Sequence, residues 1–406
     1  MAKVRRTAAI DIGTTKVACV VAETDGTNRT SIVGYGVAPS LGFRQGVVIN
    51  LDKATESVAA AVAAAEEMCG GKVKAYRTLI GIAGDHIKYL AGIGAVPVRK
   101  PAKGIGQRDL EDVIKQAQTI RLPNDEQILH VIPTQFIVDG QKGVRDPLGL
   151  YGVRLEVEAL LIIGAVTAVQ NIERVLEGLD IRNRLMVLQS LACSFAVCAE
   201  DDKELGCALV DLGGVTDLSI CREGELRFTK MLPIGAANIT KDVAIGLRTT
   251  FAHAEQLKRQ YGCAMTSMVE KDEALSVEDA SGRGVKQVSR RLLASIIEPR
   301  VEEILNLVDA ELRKTGMAEG LSSGVILTGG GSLLKGVDIL AEQIMGMPVK
   351  LGRPDKFAGP DEVVKNPVFA TAVGLIHYGL EGRYFHEVLA PGTLARLFDE
   401  LRNSFS

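Results

Sequence analysis

Ala9-Ile10-Asp11-Ile12-Gly13 is repeated later in the chain as Leu209-Val210-Asp211-Leu212-Gly213, and in both copies an apolar strand runs into an Asp-x-Gly turn. The two aspartates are 211 − 11 = 200 residues apart, which indicates a long internal repeat. Each copy opens a series of three short strands followed by a helix, typical of one α/β unit. The sequence therefore predicts a duplicated β-β-β-α-β protein with two lobes and a ligand-binding cleft between them.

The elements of each copy follow from apolar runs rich in Val, Ile and Ala, separated by Gly, Thr and Asn turns. In the first copy we expect strands at Thr7–Ile12, Val17–Glu23, Ser31–Val37 and Arg77–Ala83, and a helix at about Lys53–Met68 with Asp52 as its N-cap and Gly70-Gly71 as its end. In the second copy we expect strands at Cys207–Leu212, Asp217–Arg222 and Glu225–Pro233, then a helix from about Ala237.

Each copy also carries an insert. Residues 84–165 are predicted to hold a helix at Arg108–Thr119 and strands at Gln127–Val138 and Val153–Ile163. Residues 248–300 are predicted to hold a helix at Phe251–Tyr261, a mobile polar loop at Glu270–Gly284 and the start of a long helix, about Val288–Thr315, with a kink or break near Glu298 because Pro299 follows.

The composition favours a soluble globular protein of two major domains, since 47% of the 406 residues are hydrophobic and 24% are charged. A net charge of −3 without a basic cluster argues against a nucleic-acid partner. The seven cysteines lack metal-site or redox spacing, which indicates buried reduced thiols in a cytosolic protein. The longest apolar run, Ala159–Val166, is too short to span a bilayer.

The two Asp-x-Gly turns are candidate phosphate loops. The first contains Gly13, Thr14 and Thr15, whose backbone N–H groups can surround phosphate oxygens, while Lys16 adds positive charge and Asp11 suits a hydrated Mg²⁺. The second repeats this arrangement with Asp211, Gly213, Gly214 and Thr216. Either turn alone is a common structural feature, but two in matching positions of a repeat are far more specific.

A third candidate is the glycine stretch Gly329-Gly330-Gly331-Ser332, which follows the apolar strand Val325–Thr328 and precedes a predicted helix at Leu333–Met345. Glycines here allow a flat ring or a phosphate to approach the backbone, and a helix N-terminus favours anions. The alternative is a merely flexible loop. The sequence has neither the GxxxxGK[ST] motif of P-loop proteins nor the G-x-G-x-x-G motif of Rossmann folds, so neither of these rival nucleotide-binding folds is supported.

These segments resemble the signature of the actin superfamily, whose units are ribonuclease-H-like. The connecting helices of that fold would begin at Leu188-Gln189-Ser190 and at Asn366-Pro367-Val368. More narrowly, the chain resembles the bacterial FtsA cell-division family over nearly its full length. Segments of the insert look like that family's own insert subdomain, among them His130-Val131-Ile132-Pro133, Asp146-Pro147-Leu148-Gly149 and Gly152-Val153-Arg154-Leu155-Glu156.

The resemblance implies ATP and Mg²⁺ as cofactors and assigns roles to single residues. Glu255 and Lys258 would contact the ribose and the adenine, and Asp11, Asp211 and Thr216 would hold Mg²⁺ and phosphates. Gln189 lies where actin-like ATPases position the attacking water. The second loop is one residue shorter than the family's usual D-x-G-x-G-T-x-D form, so we expect ATP binding with at most slow hydrolysis.

The end of the chain carries a helical apolar stripe, with Thr393 as a possible N-cap after Pro391-Gly392. The stripe is spaced i, i+3, i+4, i+7 and i+11 and consists of Leu394, Leu397, Phe398, Leu401 and Phe405. It fits a last helix docked on the protein's own body, or an interfacial membrane anchor. The resemblance implies the anchor.

The resemblance also implies that the insert of the second lobe receives the C-terminal peptide of the tubulin-like protein FtsZ. Arg291 and Arg300 are candidates to pair with acidic residues of that peptide. The alternative for either arginine is a solvated helix face that serves only solubility.

The sequence thus predicts an ATP-binding cell-division protein that self-assembles into an actin-like filament, binds other division proteins and tethers the FtsZ ring to the cytoplasmic face of the inner membrane at the septum. The alternatives are a type IV pilus assembly relative, against which the tail argues, and a small-molecule kinase, for which no general base is visible.

The predicted lobe 1 core covers residues 1–83 and 166–205, with the insert at 84–165. Lobe 2 covers 206–247 and 301–365 with its insert at 248–300, a connecting helix covers 366–385, and the tail covers 386–406.

Overall fold

The computed structural model describes residues 4–270, 273–280 and 284–381. By internal contacts this part of the chain divides into two units, of which the first spans residues 4–85 and 170–380 and the second spans residues 86–169. Within the described residues, no helix combines the length and the hydropathy that a membrane-crossing segment needs. The tail stripe of residues 394–405 lies outside the described residues.

The strands of the described chain are β1 Arg5–Ile12, β2 Lys16–Thr24, β3 Thr30–Pro39, β4 Phe43–Arg44, β5 Val47–Val48, β6 Arg77–Ile82, β7 Lys88–Pro97, β8 Glu126–Val138, β9 Gln141–Val144, β10 Arg154–Ala165, β11 Arg184–Leu188, β12 Cys207–Leu212, β13 Thr216–Arg222, β14 Glu225–Leu232, β15 Ala274–Glu278, β16 Val285–Ser289, β17 Val325–Thr328 and β18 Val349–Leu351. The helices are α1 Leu51–Cys69, α2 Gln107–Ala117, α3 Val166–Gly178, α4 Gln189–Val197, α5 Glu200–Leu205, α6 Ala236–Gly246, α7 Phe251–Tyr261, α8 Arg290–Lys314, α9 Val337–Met345, α10 Asp361–Val364 and α11 Ala370–Glu381.

Two five-stranded sheets of the first unit share one topology, with strand orders β3-β2-β1-β6-β11 and β14-β13-β12-β17-β18. In each sheet the first three strands are antiparallel and the last two join in parallel. Asp11 pairs with Gly81 in one sheet, and Asp211 pairs with Thr328 in the other, so the two aspartates occupy equivalent positions. The predicted duplication and the two-lobed α/β fold are confirmed.

Helices with apolar faces cover both sheets. In the first lobe α1 places Ala54, Ala61 and Ala65, all fully buried, against the sheet, and small side chains let the helix lie close to it. In the second lobe α8 contributes the buried Ile297 and Val301 to a large core. Burial of aliphatic side chains such as Ile297 and Val301 contributes about 1.5–3 kcal/mol each relative to exposure, which holds these helices against their sheets.

The second unit is a four-stranded sheet of order β7-β10-β8-β9 with α2 packed on it. Its β10 pairs antiparallel with both β7 and β8 over ten or more residues. The core of this unit includes Leu110, Val113 and Leu161. It therefore has a hydrophobic core of its own, as an independent subdomain requires.

Two predicted details at helix starts are wrong. The N-cap of α1 is Asn50 and not Asp52, because Asn50 has extended backbone and its side chain accepts a hydrogen bond from the Lys53 N–H. Asp52 instead lies in the first turn, where its charge is favourable to the helix dipole. The helix after the glycine stretch begins at Val337, since Gly330–Leu333 forms a separate 3₁₀ turn.

The second insert also differs from its prediction. The segment expected to be a mobile polar loop, Glu270–Gly284, holds strand β15, which pairs antiparallel with β16 directly after it. The alternating Leu275 and Val277 of β15 are buried in the lobe core. Helix α8 runs from Arg290 to Lys314 with Pro299 inside it, so of the kink or break expected near Glu298 the break does not occur. The missing N–H of proline costs one helical hydrogen bond, and the core contacts on both sides of Pro299 outweigh that loss.

Candidate functional site

The two Asp-x-Gly hairpins meet within the first unit. The turn between β1 and β2 is closed by a hydrogen bond from the Gly13 N–H to the Lys16 carbonyl at 2.9 Å. The turn between β12 and β13 touches it, because a Cβ built on Gly214 would lie 2.9 Å from Thr14 Cβ and 2.9 Å from Thr15 Cγ2. Any side chain at position 214 would clash with the first turn, so glycine is required for this approach.

Three carboxylates converge beside the hairpins. Asp11 is buried, with its Oδ2 3.4 Å from Lys16 Nζ, and burial raises its pKa above the ordinary value while Lys16 opposes that rise. Burial and the charge of Asp11 raise the pKa of Asp211 to about 6. Burial, then the charges of Asp211 and Asp11, raise the pKa of Asp217, which pairs with Asp211 across β12 and β13, to about 8. The cluster is therefore short of positive charge.

Thr216 supplies a hydroxyl with no partner. The residue is fully buried at the start of β13, and its Oγ1 makes no hydrogen bond within the described part of the chain. A buried hydroxyl left unpaired costs roughly 1–3 kcal/mol, so this group calls for a partner such as a water, an ion or a ligand. Nearby, Thr371 Oγ1 of α11 donates to Asp211 Oδ2 at 3.5 Å and holds that carboxylate.

These groups fit a magnesium-bound phosphate ligand by their chemistry. Mg²⁺ prefers one or two carboxylates together with waters and phosphate oxygens, and it rarely uses an all-protein cage. Among residues 4–270, 273–280 and 284–381, no three His, Cys, Asp or Glu side chains are arranged to hold a metal alone. Asp11, Asp211 and the Thr216 hydroxyl thus suit a Mg²⁺ ion whose other ligands would be waters and phosphate oxygens.

The glycine stretch lies against the second hairpin. Gly329 has φ +79°, and a Cβ on it would lie 2.1 Å from Asp211 Oδ1. A Cβ on Gly331 would lie 2.7 Å from the Leu212 carbonyl oxygen. The Ser332 hydroxyl is buried and donates to the Gly329 carbonyl at 2.7 Å, which fixes the turn. On Gly330 the nearest atom would be a Val368 methyl at 3.7 Å, so this side of the turn stays open to a ligand.

Glu255 and Lys258 form an ion pair on α7, with 2.6 Å between Glu255 Oε2 and Lys258 Nζ. The Thr240 hydroxyl of α6 donates to Glu255 Oε2 at 2.5 Å and accepts from Lys258 Nζ at 2.8 Å. Burial lowers the pKa of Lys258. Burial acts to raise the pKa of Glu255, but hydrogen bonds from Lys258 and Thr240 hold it below its usual value. Lys258 also donates to the Ala236 carbonyl, at the start of α6.

Gln189 begins α4 at the end of β11. Its Nε2 donates to the Ile12 carbonyl at 3.0 Å and to the Gly81 carbonyl at 3.3 Å, so the side chain is held at the ends of β1 and β6. Both N–H groups of the amide are thereby used. The Gln189 Oε1 atom has no hydrogen bond within the described residues and remains as an acceptor.

Arg291 and Arg300 stand apart from this site and from each other. They are nine residues apart on α8, which at about 100° per residue places them on opposite sides of the helix. Arg300 pairs with Asp242 at 2.5 Å and with Glu303. Arg291 Nη2 donates to the Val269 carbonyl at 3.2 Å. The two arginines therefore lie on different faces of α8.

The structure adds residues to the site that the sequence analysis did not single out, namely Asp217, Thr240, Thr371 and Ala236. Asp217 carried a signal, because it ends the second phosphate motif. The other three carried none, since their roles depend on contacts between elements that are far apart along the chain.

Asp217 predicts a pH dependence of stability. Its carboxyl is protonated in the folded protein up to about pH 8 and ionises near pH 4 when unfolded, so the folded state binds the extra proton between these values. The contribution of Asp217 to stability is therefore greatest below about pH 4 and falls as the pH rises towards 8, by on the order of 1 kcal/mol per pH unit. We expect the melting temperature of ligand-free protein to fall from pH 5 to pH 8, and Asp217→Asn to flatten this profile. Parallel profiles for the two proteins would contradict the expectation.

The comparisons with known proteins agree with one another. The family model described as "Cell division protein FtsA" matches residues 208–374, and the model of the SHS2 domain inserted in FtsA matches residues 84–163. The cell division protein FtsA of Pseudomonas aeruginosa is 39% identical over 373 residues, which are 92% of this chain and 88% of the relative. FtsA of Neisseria meningitidis is 37% identical over 408 residues, or 98% of each chain.

Solved structures agree on the fold. The PilM-PilN type IV pilus biogenesis complex matches with a TM-score of 0.65 and 16% identity, over 92% of this chain and 98% of that one. MreB5 of Spiroplasma citri, bound to ADP, matches with a TM-score of 0.57 and 13% identity, over 93% and 99%. Identities this low show the actin-like fold alone, whereas the FtsA relatives share more than a third of their residues over most of their length. The chain therefore belongs to the FtsA family of cell division proteins, built on the fold of the actin-like ATPases.

Proposed function

We propose that this cell-division protein binds Mg–ATP between its two hairpins, assembles with further copies of itself, and tethers the FtsZ ring to the cytoplasmic face of the inner membrane through residues 394–405. The observation that carries ATP binding is the buried Thr216 hydroxyl, which lacks a partner beside carboxylates in need of a cation. MreB5, of the same fold, is bound to ADP, which supports a nucleotide here.

Each residue of the site has a distinct task in this proposal. The backbone N–H groups of residues 13–16 and 213–216 donate to phosphate oxygens, and Lys16 adds positive charge. Asp11 and Asp211 hold the waters of the cation, and Thr216 offers its hydroxyl. Bound Mg²⁺ would neutralise charge on the phosphates. The glycines of residues 329–331 leave room for the nucleoside against the backbone, and Ser332 fixes their turn.

Gln189 is proposed to orient water. Its amide nitrogen is held by two backbone carbonyls, so its Oε1 is the atom that can accept a hydrogen bond from a water near the phosphates. A glutamine orients water but is too weak a base to remove its proton, which agrees with slow hydrolysis.

The small-molecule kinase alternative predicts fast ATP turnover with an acceptor, whereas the present proposal predicts slow turnover. Beyond Asp11 the turn between β1 and β2 offers Thr14, Thr15 and Lys16, none of which is a general base at neutral pH. We expect ATP turnover well below about 10 s⁻¹, the median of metabolic enzymes, with sugars or other small acceptors, measured by ADP release. Turnover above that value with any acceptor would favour a kinase.

The test of the complete proposal is electron microscopy of the pure protein on a lipid monolayer, with and without Mg–ATP. We expect ordered filaments on the monolayer with Mg–ATP, and none with a chain truncated after residue 385. Equal coverage by the truncated chain would exclude the tail as the tether, and the absence of filaments under all conditions would exclude self-assembly.

The arginines of α8 are proposed to contact the FtsZ peptide. Because they lie on opposite sides of the helix, each is reversed separately, as Arg291→Glu and Arg300→Glu. We expect a loss of peptide affinity of about threefold to tenfold for the arginine that faces the peptide, since exposed charge pairs contribute roughly 0.2–1 kcal/mol and reversal adds repulsion. Fluorescence anisotropy measures the affinity, and the melting temperature reports the separate loss of the Arg300 pairs with Asp242 and Glu303. Unchanged affinity in both variants would remove these residues from the interface.

A further inference from the structure

Three cysteines from three different elements of the first unit meet at one place. Cys198 caps the end of α4, Cys207 begins β12, and Cys221 lies near the end of β13. All three are buried, with exposed fractions of 0%, 0% and 1%. The Sγ atoms of Cys198 and Cys207 are 3.9 Å apart, and Cys207 pairs directly with Cys221 across the two strands. We call these three residues the thiol cluster.

The thiol cluster lies outside the proposed nucleotide site. That site uses the opposite ends of the same three elements, with Gln189 at the start of α4, Asp211 near the end of β12 and Thr216 at the start of β13. At about 1.5 Å per helical residue and 3.3 Å per strand residue, the two ends of each element are about 13 to 17 Å apart. Nucleotide binding therefore does not account for the cluster.

The sulfur of Cys221 has the surroundings of a thiolate. Hydrogen bonds from the thiols of Cys198 and Cys207 lower the pKa of the Cys221 thiol well below its usual value, against the opposing effect of burial. The positive charge of Lys203 acts in the same direction as these hydrogen bonds. Since the thiolate is the nucleophilic form of cysteine, Cys221 is the member of the cluster that is activated for attack.

The helix beside the cluster, α5, is short and largely exposed. It has six residues, of which four are exposed, and it packs on β13. Its end is joined to the turn after β13 by hydrogen bonds from the Glu223 and Gly224 N–H groups to the carbonyls of Glu204 and Lys203, at 3.3 and 3.1 Å. A helix of this length is marginal without its packing, so local opening of α5 gives a small molecule access to the buried sulfurs.

The backbone at Cys207 and Cys221 suits a disulfide. Residues directly opposite each other in an antiparallel pair have Cα atoms about 4.5–5.5 Å apart, with both side chains on one face. Disulfides join Cα atoms that are about 4.4–6.8 Å apart. Cys263 provides a comparison, because it is equally buried, at 0%, but its thiol donates to the Met265 carbonyl at 3.2 Å.

We propose that the thiol cluster is an oxidation site, at which a hydroperoxide such as hydrogen peroxide converts Cys207 and Cys221 into a disulfide. The Cys221 sulfur attacks one peroxide oxygen, the O–O bond breaks, and the departing hydroxide takes up a proton from the solvent. Cys207 then attacks the sulfur of the resulting sulfenic acid, the S–O bond breaks, and the hydroxide leaves as water with the Cys207 proton. Overall two thiols lose two electrons and two protons, and one peroxide becomes two waters.

The experiment treats the full chain, freed of reductant, with hydrogen peroxide, alkylates it under denaturing conditions and maps the unreduced peptides by mass spectrometry. We expect the loss of two of the seven alkylatable thiols, a link between Cys207 and Cys221, and full recovery with dithiothreitol. Cys263 is expected to stay reduced. A protein that keeps all seven thiols, or a link that includes Cys198, would overturn the inference. Oxidation of Cys263 as fast as the cluster would also overturn it, since unfolding alone would then explain the reaction.

Substitutions test the assigned roles. Cys221→Ser removes the attacking sulfur and is expected to leave Cys207 reduced, whereas Cys263→Ser is the matched control, expected to form the disulfide as the unaltered protein does. Lys203→Met keeps the length of the side chain without its charge. We expect it to slow disulfide formation by about threefold to tenfold, because a Cys221 pKa higher by about 0.5 to 1 lowers the thiolate fraction by that factor.

An equal or faster rate in Lys203→Met would overturn the attack by a Cys221 thiolate, and so would oxidation of Cys207 in Cys221→Ser. If either variant does not fold, as judged by its melting curve, the comparison of the cluster with Cys263 in the unaltered protein still decides the inference. None of these measurements requires nucleotide, so they stand apart from the test of the proposed function.

Discussion

Asp211→Ala is expected to raise the dissociation constant of Mg–ATP at least tenfold, which corresponds to about 1.4 kcal/mol. Asp211 is the next-to-last residue of β12, the central strand of its sheet, receives a hydrogen bond from Thr371 and lies against the glycine stretch at Gly329. Its carboxylate is one of two placed to hold the waters of a Mg²⁺ ion, and a single missing charge in a partly buried site weakens such a contact strongly. Isothermal titration measures the effect.

The same substitution separates binding from stability. Because burial and Asp11 raise the pKa of Asp211 to about 6, its negative charge is unfavourable in the ligand-free protein at pH 7. We therefore expect Asp211→Asn, which keeps the shape of the side chain, to raise the melting temperature without nucleotide while it weakens Mg–ATP binding. Unchanged affinity in both variants would show that the second phosphate loop has been placed wrongly.

Phe398→Glu is expected to abolish co-sedimentation with anionic vesicles and to leave ATP binding unaltered. The five apolar side chains of the stripe supply on the order of 5–10 kcal/mol of gross stabilisation when partly buried, and ordering of about a dozen residues offsets much of it. The stripe faces anionic lipid with only Arg396 and Arg402, against Asp399 and Glu400. A charge in the middle of the stripe must be desolvated or draw the helix out of the interface.

Asn403→Glu is the matched control, because it adds the same charge about 140° away from Phe398 around a helix. We expect this variant to keep most of its lipid binding. A stripe that packs on the body of the protein predicts a different pair of results for Phe398→Glu, namely a lower melting temperature with lipid binding unchanged. That pair would exclude the anchor. Since one tail binds weakly, both variants are compared as assembled filaments, in which many tails act together.

Several details of the fold were readable from local sequence and several were not. The strand boundaries in both copies of the repeat lie within about two residues of their predicted positions, because alternating and continuous apolar runs report the face that is buried. The hairpin of β15 and β16 was missed because polar residues outnumber the apolar ones in that segment. Of the kink or break expected near Glu298, the break does not occur, since core contacts of α8 override the local preference of Pro299.

The sequence by itself determined the duplication, the positions of both Asp-x-Gly turns, the glycine stretch and the family, because each is carried by residues close together along the chain. Only the tertiary structure decided which groups meet. Asp211 contacts Thr371 across 160 residues of chain, and Lys258 contacts Ala236 across 22. It also decided the charge state of Asp217, since a pKa depends on burial and on neighbouring charges. Such contacts depend on the path of the whole chain, and local propensity carries no information about them.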